Sequence, residues 1–291
     1  MWGIAASWVV AGCGDSSPAS VPAPPATIVA AGFVVPADSE IPADQVGASI
    51  RRGRAILDNT RDSLPGHVGN NLRCTSCHLD VGTRPNAAPW VGVYSRFPQY
   101  RSRNDKVNII EDRINDCFQR SLAGKPLELG GRDLTDIIAY MAFLSRGVAP
   151  PGEVPGQGFK RMDPLVPDTG AGRLTYAGQC ARCHGANGEG MVNPDPKGVP
   201  KYYPPLWGPR SYTIGAGMAR LRTAASFIRY AMPFDLPGTL TDRQAYDVAG
   251  YLVSRDRPDF AAKALDWPNG DPPPDVAYPT NAAVAVSPKR R

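Results

Sequence analysis

The sequence predicts an all-α protein built from two tandem domains of the same type. A five-residue motif, Cys-x-x-Cys-His, occurs at residues 74–78 and again at residues 180–184. Apolar residues recur at helical spacing around each motif, and a Pro/Gly-rich linker, residues 148–168, separates the two halves. The length of 291 residues agrees with two domains, since one domain takes roughly 100–200 residues.

Composition excludes several classes of protein. The chain has 42% hydrophobic and 20% charged residues, an ordinary balance for a soluble protein. It has no run of about 18 apolar residues that would span a membrane. The formal net charge of +5 is small and dispersed, without an aromatic-interleaved basic stripe, so we expect no nucleic-acid partner. With 3 histidines, the sequence also excludes most His-rich metal enzymes.

The N-terminal region predicts export and a membrane tether. Residues 1–12 are small and apolar, and the segment Val10-Ala11-Gly12-Cys13 resembles a bacterial lipoprotein cleavage box. We therefore expect a lipoprotein-type signal peptide and lipidation of Cys13, which would anchor the chain without making it span the membrane. The alternative is an ordinary signal peptide with an unmodified cysteine. Residues 13–43, rich in Ser, Pro and Ala, predict a flexible, disordered tether.

Each domain is predicted to consist of helices arranged around its motif. In the first domain, residues 44–147, spacing and capping residues predict helices over about 44–58, 106–121 and 134–145, the last capped by Asp133. In the second domain, residues 169–260, they predict helices over about 171–179, 218–230 and 241–254. The tail, residues 261–291, is rich in proline and is expected to be draped over the protein or disordered.

The repeated motif predicts the cofactor. Cys-x-x-Cys-His is the attachment signature of c-type haem, because the two thiols add to the porphyrin vinyl groups and the adjacent His binds the iron. A zinc knuckle or a redox dithiol would also use paired cysteines, but neither requires this pentapeptide twice. We therefore expect two covalently bound haem c groups in domains that resemble the class I cytochrome c fold. The attachment residues are Cys74, Cys77, Cys180 and Cys183, and the proximal ligands are His78 and His184.

The second domain offers a methionine as the sixth iron ligand. Met232 precedes Pro233 shortly before the last predicted helix, where the cytochrome c pattern places its thioether ligand. A Met ligand raises the reduction potential, which suits onward electron transfer. Met218 is the main alternative ligand, and Met191 is a more remote one.

The first domain offers a cysteine at the corresponding place. Cys117 would provide a thiolate, which stabilises ferric iron and gives a low-potential haem. The neighbouring Arg113 and Arg120 are expected to lower the pKa of the thiol. The alternative is that Cys117 is a small buried hydrophobic residue.

Arginines cluster in sequence around Cys117. Guanidinium groups present paired donors to oxyanions, so we expect some of them to line an anion-binding cavity at the first haem. The candidates are Arg96, Arg101, Arg113 and Arg120.

Two stretches carry a family resemblance. Arg-Ile-Asn-Asp-Cys-Phe-Gln-Arg-Ser at residues 113–121 and Gly-Ala-Gly-Met-Ala-Arg at residues 215–220 resemble the tetrathionate-forming thiosulfate dehydrogenases, which are periplasmic dihaem cytochromes c. The resemblance covers roughly residues 45–260. It implies that two thiosulfates are joined to tetrathionate at the Cys-ligated haem, with Cys117 as its labile ligand and Ser121 among the candidate catalytic residues. Electrons would leave through the second haem to an acceptor cytochrome or similar redox protein.

Other functions remain open at this point. A membrane-tethered dihaem electron carrier without its own substrate is the main alternative, favoured by the tether. A dihaem peroxidase would need an open haem, and His67 is the only spare histidine. A related sulfur-oxidation subunit, which conjugates thiosulfate to a carrier protein, also uses a Cys-ligated haem.

Overall fold

The structure is a computed structural model that describes Met1 and residues 32–149, 153–193 and 202–280. The predicted signal peptide beyond Met1, the predicted lipidation site Cys13 and most of the predicted tether lie outside these residues. No helix in the described part of the chain combines the length and the hydropathy needed to span a bilayer.

Helices α1 and α5 form the frame of the first domain. Its elements are α1 (Gln45–Asp58), α2 (Thr60–Ser63), α3 (Leu79–Gly82), β1 (Gln99–Arg101), β2 (Lys106–Asn108), α4 (Ile110–Arg120) and α5 (Arg132–Leu144). Helix α1 begins as predicted, because the Asp44 carboxylate accepts a hydrogen bond from the Gly47 N–H at 3.0 Å. Leu57, Leu134 and Ile137 are buried in the core of this domain.

The two frame helices cross at very short range. A Cβ atom on Gly53 of α1 would lie 1.8 Å from the backbone oxygen of Asp136 on α5. The buried Asp136 carboxylate also accepts hydrogen bonds from Ser49 and Arg52 of α1. A residue without a side chain is therefore required at the crossing, and a buried carboxylate fixes the register beside it.

In the first domain, two helix starts differ from the sequence prediction. The helix expected to begin at about residue 106 begins at Ile110, because Lys106–Asn108 pairs antiparallel with Gln99–Arg101 as a two-stranded hairpin. The Asp112 carboxylate accepts a hydrogen bond from the Ile109 N–H at 3.0 Å and so marks the true start of α4. The last helix of this domain begins at Arg132 and places Asp133 in its first turn instead of at the cap.

The second domain repeats the frame. Its elements are α6 (Thr169–Thr175), α7 (Ala181–His184), β3 (Met191–Val192), β4 (Tyr202–Tyr203), α8 (Leu221–Ala231) and α9 (Asp242–Val253), with a π turn over Tyr176–Cys180. A Cβ atom on Gly172 of α6 would lie 1.9 Å from the backbone oxygen of Asp247 on α9. The same glycine-to-carbonyl crossing thus recurs in both halves, and the prediction of two tandem helical domains is confirmed.

The predicted tether, linker and tail are packed against the domains where the structure describes them. Ile41, at the end of the predicted tether, is buried in the first core, and Val154 of the predicted linker is also buried. The first part of the tail is draped over the first domain, and Trp267 and Tyr278 are buried there. These segments carry isolated large apolar residues, which proline-rich composition alone does not reveal.

Candidate functional site

The first domain holds a cavity of about 260 Å³. It brings together the predicted attachment cysteines, the proximal histidine and the predicted sixth ligand, and its lining includes Cys74, Cys77, His78 and Cys117. The cysteines are free thiols. The motif lies in the turn before α3 and Cys117 lies on α4, so the two sides of the cavity come from different elements. This donor set, two thiols with an imidazole and a further sulfur, fits a covalently attached haem.

His78 is held in the state that an iron ligand requires. Its Nδ1 makes a hydrogen bond with the backbone oxygen of Ala88, which leaves Nε2 as the nitrogen that can bind a metal. Burial lowers the pKa of His78 to about 4, so the ring is neutral at physiological pH. The imidazole also stacks on Trp90 with ring centroids 4.8 Å apart.

The sulfur of Cys117 lies next to a positively charged side chain. Arg113, one helical turn earlier on α4, donates a hydrogen bond from Nη1 to the Cys117 Sγ at 2.9 Å. Attraction to this sulfur raises the pKa of Arg113 above its ordinary value, against the opposing effect of burial. The contact places a positive charge directly beside the sulfur.

Three of the four predicted arginines line the cavity: Arg96, Arg101 and Arg113. Burial lowers the pKa of Arg101 to about 10, and repulsion by the charge of Arg113 acts in the same direction. Positive charge is therefore crowded here. Ser121 lines the cavity as well.

Arg120 is not among the residues that line this cavity in the described chain. Its guanidinium forms a two-pronged ion pair with the Asp266 carboxylate, with both N···O distances 2.7 Å. A second carboxylate, that of Asp116, lies 3.3 Å from its Nε. The structure thus separates Arg120 from the arginines with which the sequence grouped it.

Sequence reasoning missed part of the cavity wall. Gln157, Gly158 and Phe159 of the predicted linker line it, and the Gln157 side-chain oxygen accepts a hydrogen bond from Arg96 at 3.3 Å. Arg73, directly before the first motif, is a further cation in the wall. The only signal in the linker was a polar residue between two glycines, which is too common to identify a site.

The second domain holds a larger cavity, of about 520 Å³. Its lining includes Cys180, Cys183, His184, Met218 and Met232. The His184 Nδ1 makes a 2.8 Å hydrogen bond with the backbone oxygen of Pro204, and burial lowers the pKa of this histidine. The arrangement repeats that of the first motif and fits a second attached haem. Both candidate methionines reach the cavity.

The two cavities share a wall. Leu72, Arg73 and Cys77 line both of them, so the first attachment site lies between the two. Among the described residues, no group of three or more His, Cys, Asp or Glu side chains is placed to hold a metal ion. The zinc alternative therefore receives no support from the geometry.

Two family models match the chain. The one described as SoxA/TsdA, cytochrome c domain, matches residues 67–149, and the one described as Cytochrome c matches residues 170–256. Each match contains one of the repeated motifs. The two tandem cytochrome c domains are thereby confirmed, and with them two covalently bound haem c groups.

Full-length relatives decide the family. The thiosulfate dehydrogenase of Psychrobacter arcticus is 47% identical over 247 residues, which cover 83% of this chain and 73% of the relative. The thiosulfate dehydrogenase of Allochromatium vinosum is 44% identical and aligns with 78% of this chain and 85% of its own length. The chain belongs to the thiosulfate dehydrogenase family.

A solved structure agrees with this membership. Thiosulfate dehydrogenase TsdBA from Marichromatium purpuratum, in its as-isolated form, superposes with a TM-score of 0.72 at 35% identity. The alignment covers 78% of this chain and 50% of that chain. As a member of the thiosulfate dehydrogenase family, the present protein is an oxidoreductase and a dihaem cytochrome c.

Proposed function

We propose that this protein joins two thiosulfate ions to tetrathionate in the first cavity and delivers the two electrons to an external redox protein. The reaction is balanced as two S₂O₃²⁻ giving S₄O₆²⁻ and two electrons, and it forms one sulfur–sulfur bond between the sulfane sulfurs. The observation that supports the proposal is that Cys117 and His78 line one cavity, with Arg113 hydrogen-bonded to the Cys117 sulfur and further arginines in the wall.

Electrostatics explain why the cavity needs those arginines. Two dianions 4 Å apart repel each other by about 4 kcal/mol even in water, and by more in a drier site. Arg96, Arg101 and Arg113 offset this repulsion, and their planar donor groups orient the oxygens of each ion. The protein thus contributes positioning and charge compensation.

Cys117 sets the character of the first redox centre. The bound haem supplies a one-electron acceptor next to the substrate. A thiolate from Cys117 stabilises the ferric state and so lowers the reduction potential. Arg113 holds the sulfur in place and compensates part of its negative charge.

The second domain provides the exit for the electrons. We propose that Met232, together with His184, would hold the iron of the second haem, because Met232 lines the second cavity directly after the end of α8. Met218 also lines that cavity, and both methionines pack against a cluster that includes Phe227 and Ala231, but Met218 packs in addition against the core of the first domain. Electrons would cross the wall that Leu72, Arg73 and Cys77 form between the cavities.

We place this activity on the periplasmic side of a bacterial membrane. Haem c is attached outside the cytoplasm, and the N-terminal sequence resembles a lipoprotein signal with Cys13 as the acylated residue. An acceptor cytochrome or similar redox protein could then meet the tethered enzyme at the membrane surface.

Replacement of the sulfur ligand tests the proposed function. We expect Cys117→Gly to lose at least about a hundredfold in thiosulfate-driven ferricyanide reduction, a loss of the size seen when one catalytic group is removed. Low-temperature EPR of the oxidised parent should show a thiolate/imidazole signal that this variant lacks. Met191→Ala, on an exposed strand, is the control. An undiminished rate in a Cys117→Gly protein that carries two haems would refute the proposal.

A further inference from the structure

The C-terminal segment, residues 261–280, contacts the first domain although it lies outside both family matches. Its Asp266 side chain is only 2% exposed. The carboxylate pairs with Arg120 of α4 through both oxygens at 2.7 Å. A buried carboxylate that receives two charge-assisted hydrogen bonds fixes the geometry of its partner closely.

The same carboxylate also reaches the β1–β2 hairpin. Arg103, in the turn of the hairpin, places its Nε 3.2 Å from an Asp266 oxygen and donates from Nη2 to the Tyr278 hydroxyl at 3.1 Å. The Tyr278 hydroxyl in turn donates to Asp266. The Trp267 N–H donates to the Arg103 backbone oxygen at 2.8 Å, so the connection includes the main chain of the hairpin.

These contacts join two of the elements that supply cations to the first cavity. The hairpin carries Arg101, and α4 carries Arg113 together with Cys117. One carboxylate balances two largely buried guanidinium groups, so its removal would leave Arg103 without a carboxylate partner and Arg120 with only the longer contact to Asp116. An unpaired buried charge is costly, and the side chains would have to move to reach solvent or another anion.

We propose that Asp266 is a positioning residue of the active site, which fixes the hairpin bearing Arg101 against the helix bearing Arg113 and Cys117. By binding Arg120, it also keeps a further cation away from the substrate cavity. The proposal deepens the proposed function, on which it rests, and it assigns the C-terminal segment to the catalytic unit.

If Asp266 had only a structural role, a different experimental result would be expected. A segment that only stabilises the fold would change the unfolding temperature, while the properties of the correctly folded holoprotein stayed the same. A positioning role changes the first haem site and the affinity for thiosulfate in protein that remains folded. The second haem serves as an internal reference, since the side chains that Asp266 contacts do not line the second cavity. These are Arg103, Arg120 and Tyr278.

The experiment compares three variants of the full-length holoprotein. Asp266→Asn keeps the size of the side chain but removes its charge, and Tyr278→Phe removes one hydroxyl and leaves all charges in place. Asp38→Asn is the matched control, because Asp38 pairs with Arg54 on the exposed surface of the same domain. The readouts are the KM and kcat for thiosulfate, and the EPR signals of both haems.

We expect Asp266→Asn to raise the KM by about tenfold to a hundredfold, since a small misplacement of positioning groups has effects of that size. The first haem signal should broaden or split, while that of the second is unchanged. Tyr278→Phe should act in the same direction with a smaller effect.

Results equal to those of Asp38→Asn would overturn the proposal. If Asp266→Asn does not fold, Tyr278→Phe decides, and a KM and an EPR signal identical to those of the parent count against positioning. A parent protein that fails to oxidise thiosulfate would refute the proposed function, and the EPR comparison would still test the role of Asp266.

Discussion

Arginines in and next to the first cavity differ in whether a carboxylate already balances their charge. Arg103 and Arg120 share the buried carboxylate of Asp266. Arg101 lines the cavity close to Arg113, and the pKa of Arg101 falls to about 10 because of burial and the charge of its neighbour. A group whose charge is disfavoured in the empty cavity gains most when an anion enters, so Arg101 is the residue on which substrate binding should depend.

Neutralising Arg101 should therefore weaken substrate binding. We expect Arg101→Gln to raise the KM for thiosulfate by about tenfold or more, the size expected for loss of one charge-assisted contact. Lys106 provides the control, because it pairs directly with Arg101 across the hairpin but its side chain is exposed. Steady-state ferricyanide assays of Arg101→Gln and Lys106→Gln make the comparison, and equal KM values in the two variants would exclude a binding role for Arg101.

At the scale of elements, each domain depends on one glycine where its first and last helices cross. Gly53 in the first domain and Gly172 in the second both lie against a backbone oxygen of the facing helix. A side chain at either position would push the helices apart and shift the adjacent haem motif. The residue at each crossing thus influences the shape of the neighbouring haem cavity.

Adding one carbon at the crossing should destabilise one domain selectively. We expect Gly53→Ala to lower the free energy of unfolding of the first domain by about 1–3 kcal/mol, the usual cost of overpacking. Gly66→Ala is the control, since a Cβ atom there meets nothing within 4 Å. Thermal unfolding of the holoproteins, followed by circular dichroism, measures the effect, and equal midpoints for the two variants would contradict the tight crossing.

Local signals predicted most of the elements and the two attached haem groups. Asp44 and Thr241 mark the starts of α1 and α9 because a capping side chain acts within a few residues. The hairpin was missed because its pairing joins residues whose apolar pattern also fits a helix. The partner of Arg120 was missed because Asp266 lies 146 positions away, and nothing local indicates such a contact.

At the scale of the whole molecule, the two domains are packed together. The Thr213 hydroxyl of the second domain donates to the backbone oxygen of Arg120 at 2.7 Å, which satisfies the end of α4. The Asn70 side-chain amide donates to the backbone oxygens of Ser121 and Ser211. Tyr212 is buried in the core of the first domain. The second domain therefore supports the helix that carries Cys117.

Loss of the proposed methionine ligand of the second haem should affect turnover more than substrate binding. Because a thioether ligand raises the reduction potential, Met232→Ala should lower the potential of the second haem and hold electrons on the first. We expect kcat to fall while the KM for thiosulfate stays close to that of the parent, because the substrate cavity is intact. Redox titration together with steady-state assays measures both effects.

Two further variants complete this test. Met191→Ala, on an exposed strand, should leave the potential and kcat unchanged. Met218→Ala should also leave the potential of the second haem unchanged, because we place Met232 on the iron. If the potential of the second haem falls in Met218→Ala but not in Met232→Ala, Met218 is the iron ligand instead of Met232. Unchanged potentials and kcat in both cavity variants would mean that neither methionine controls electron exit, and the proposed route through the second domain would have to be abandoned.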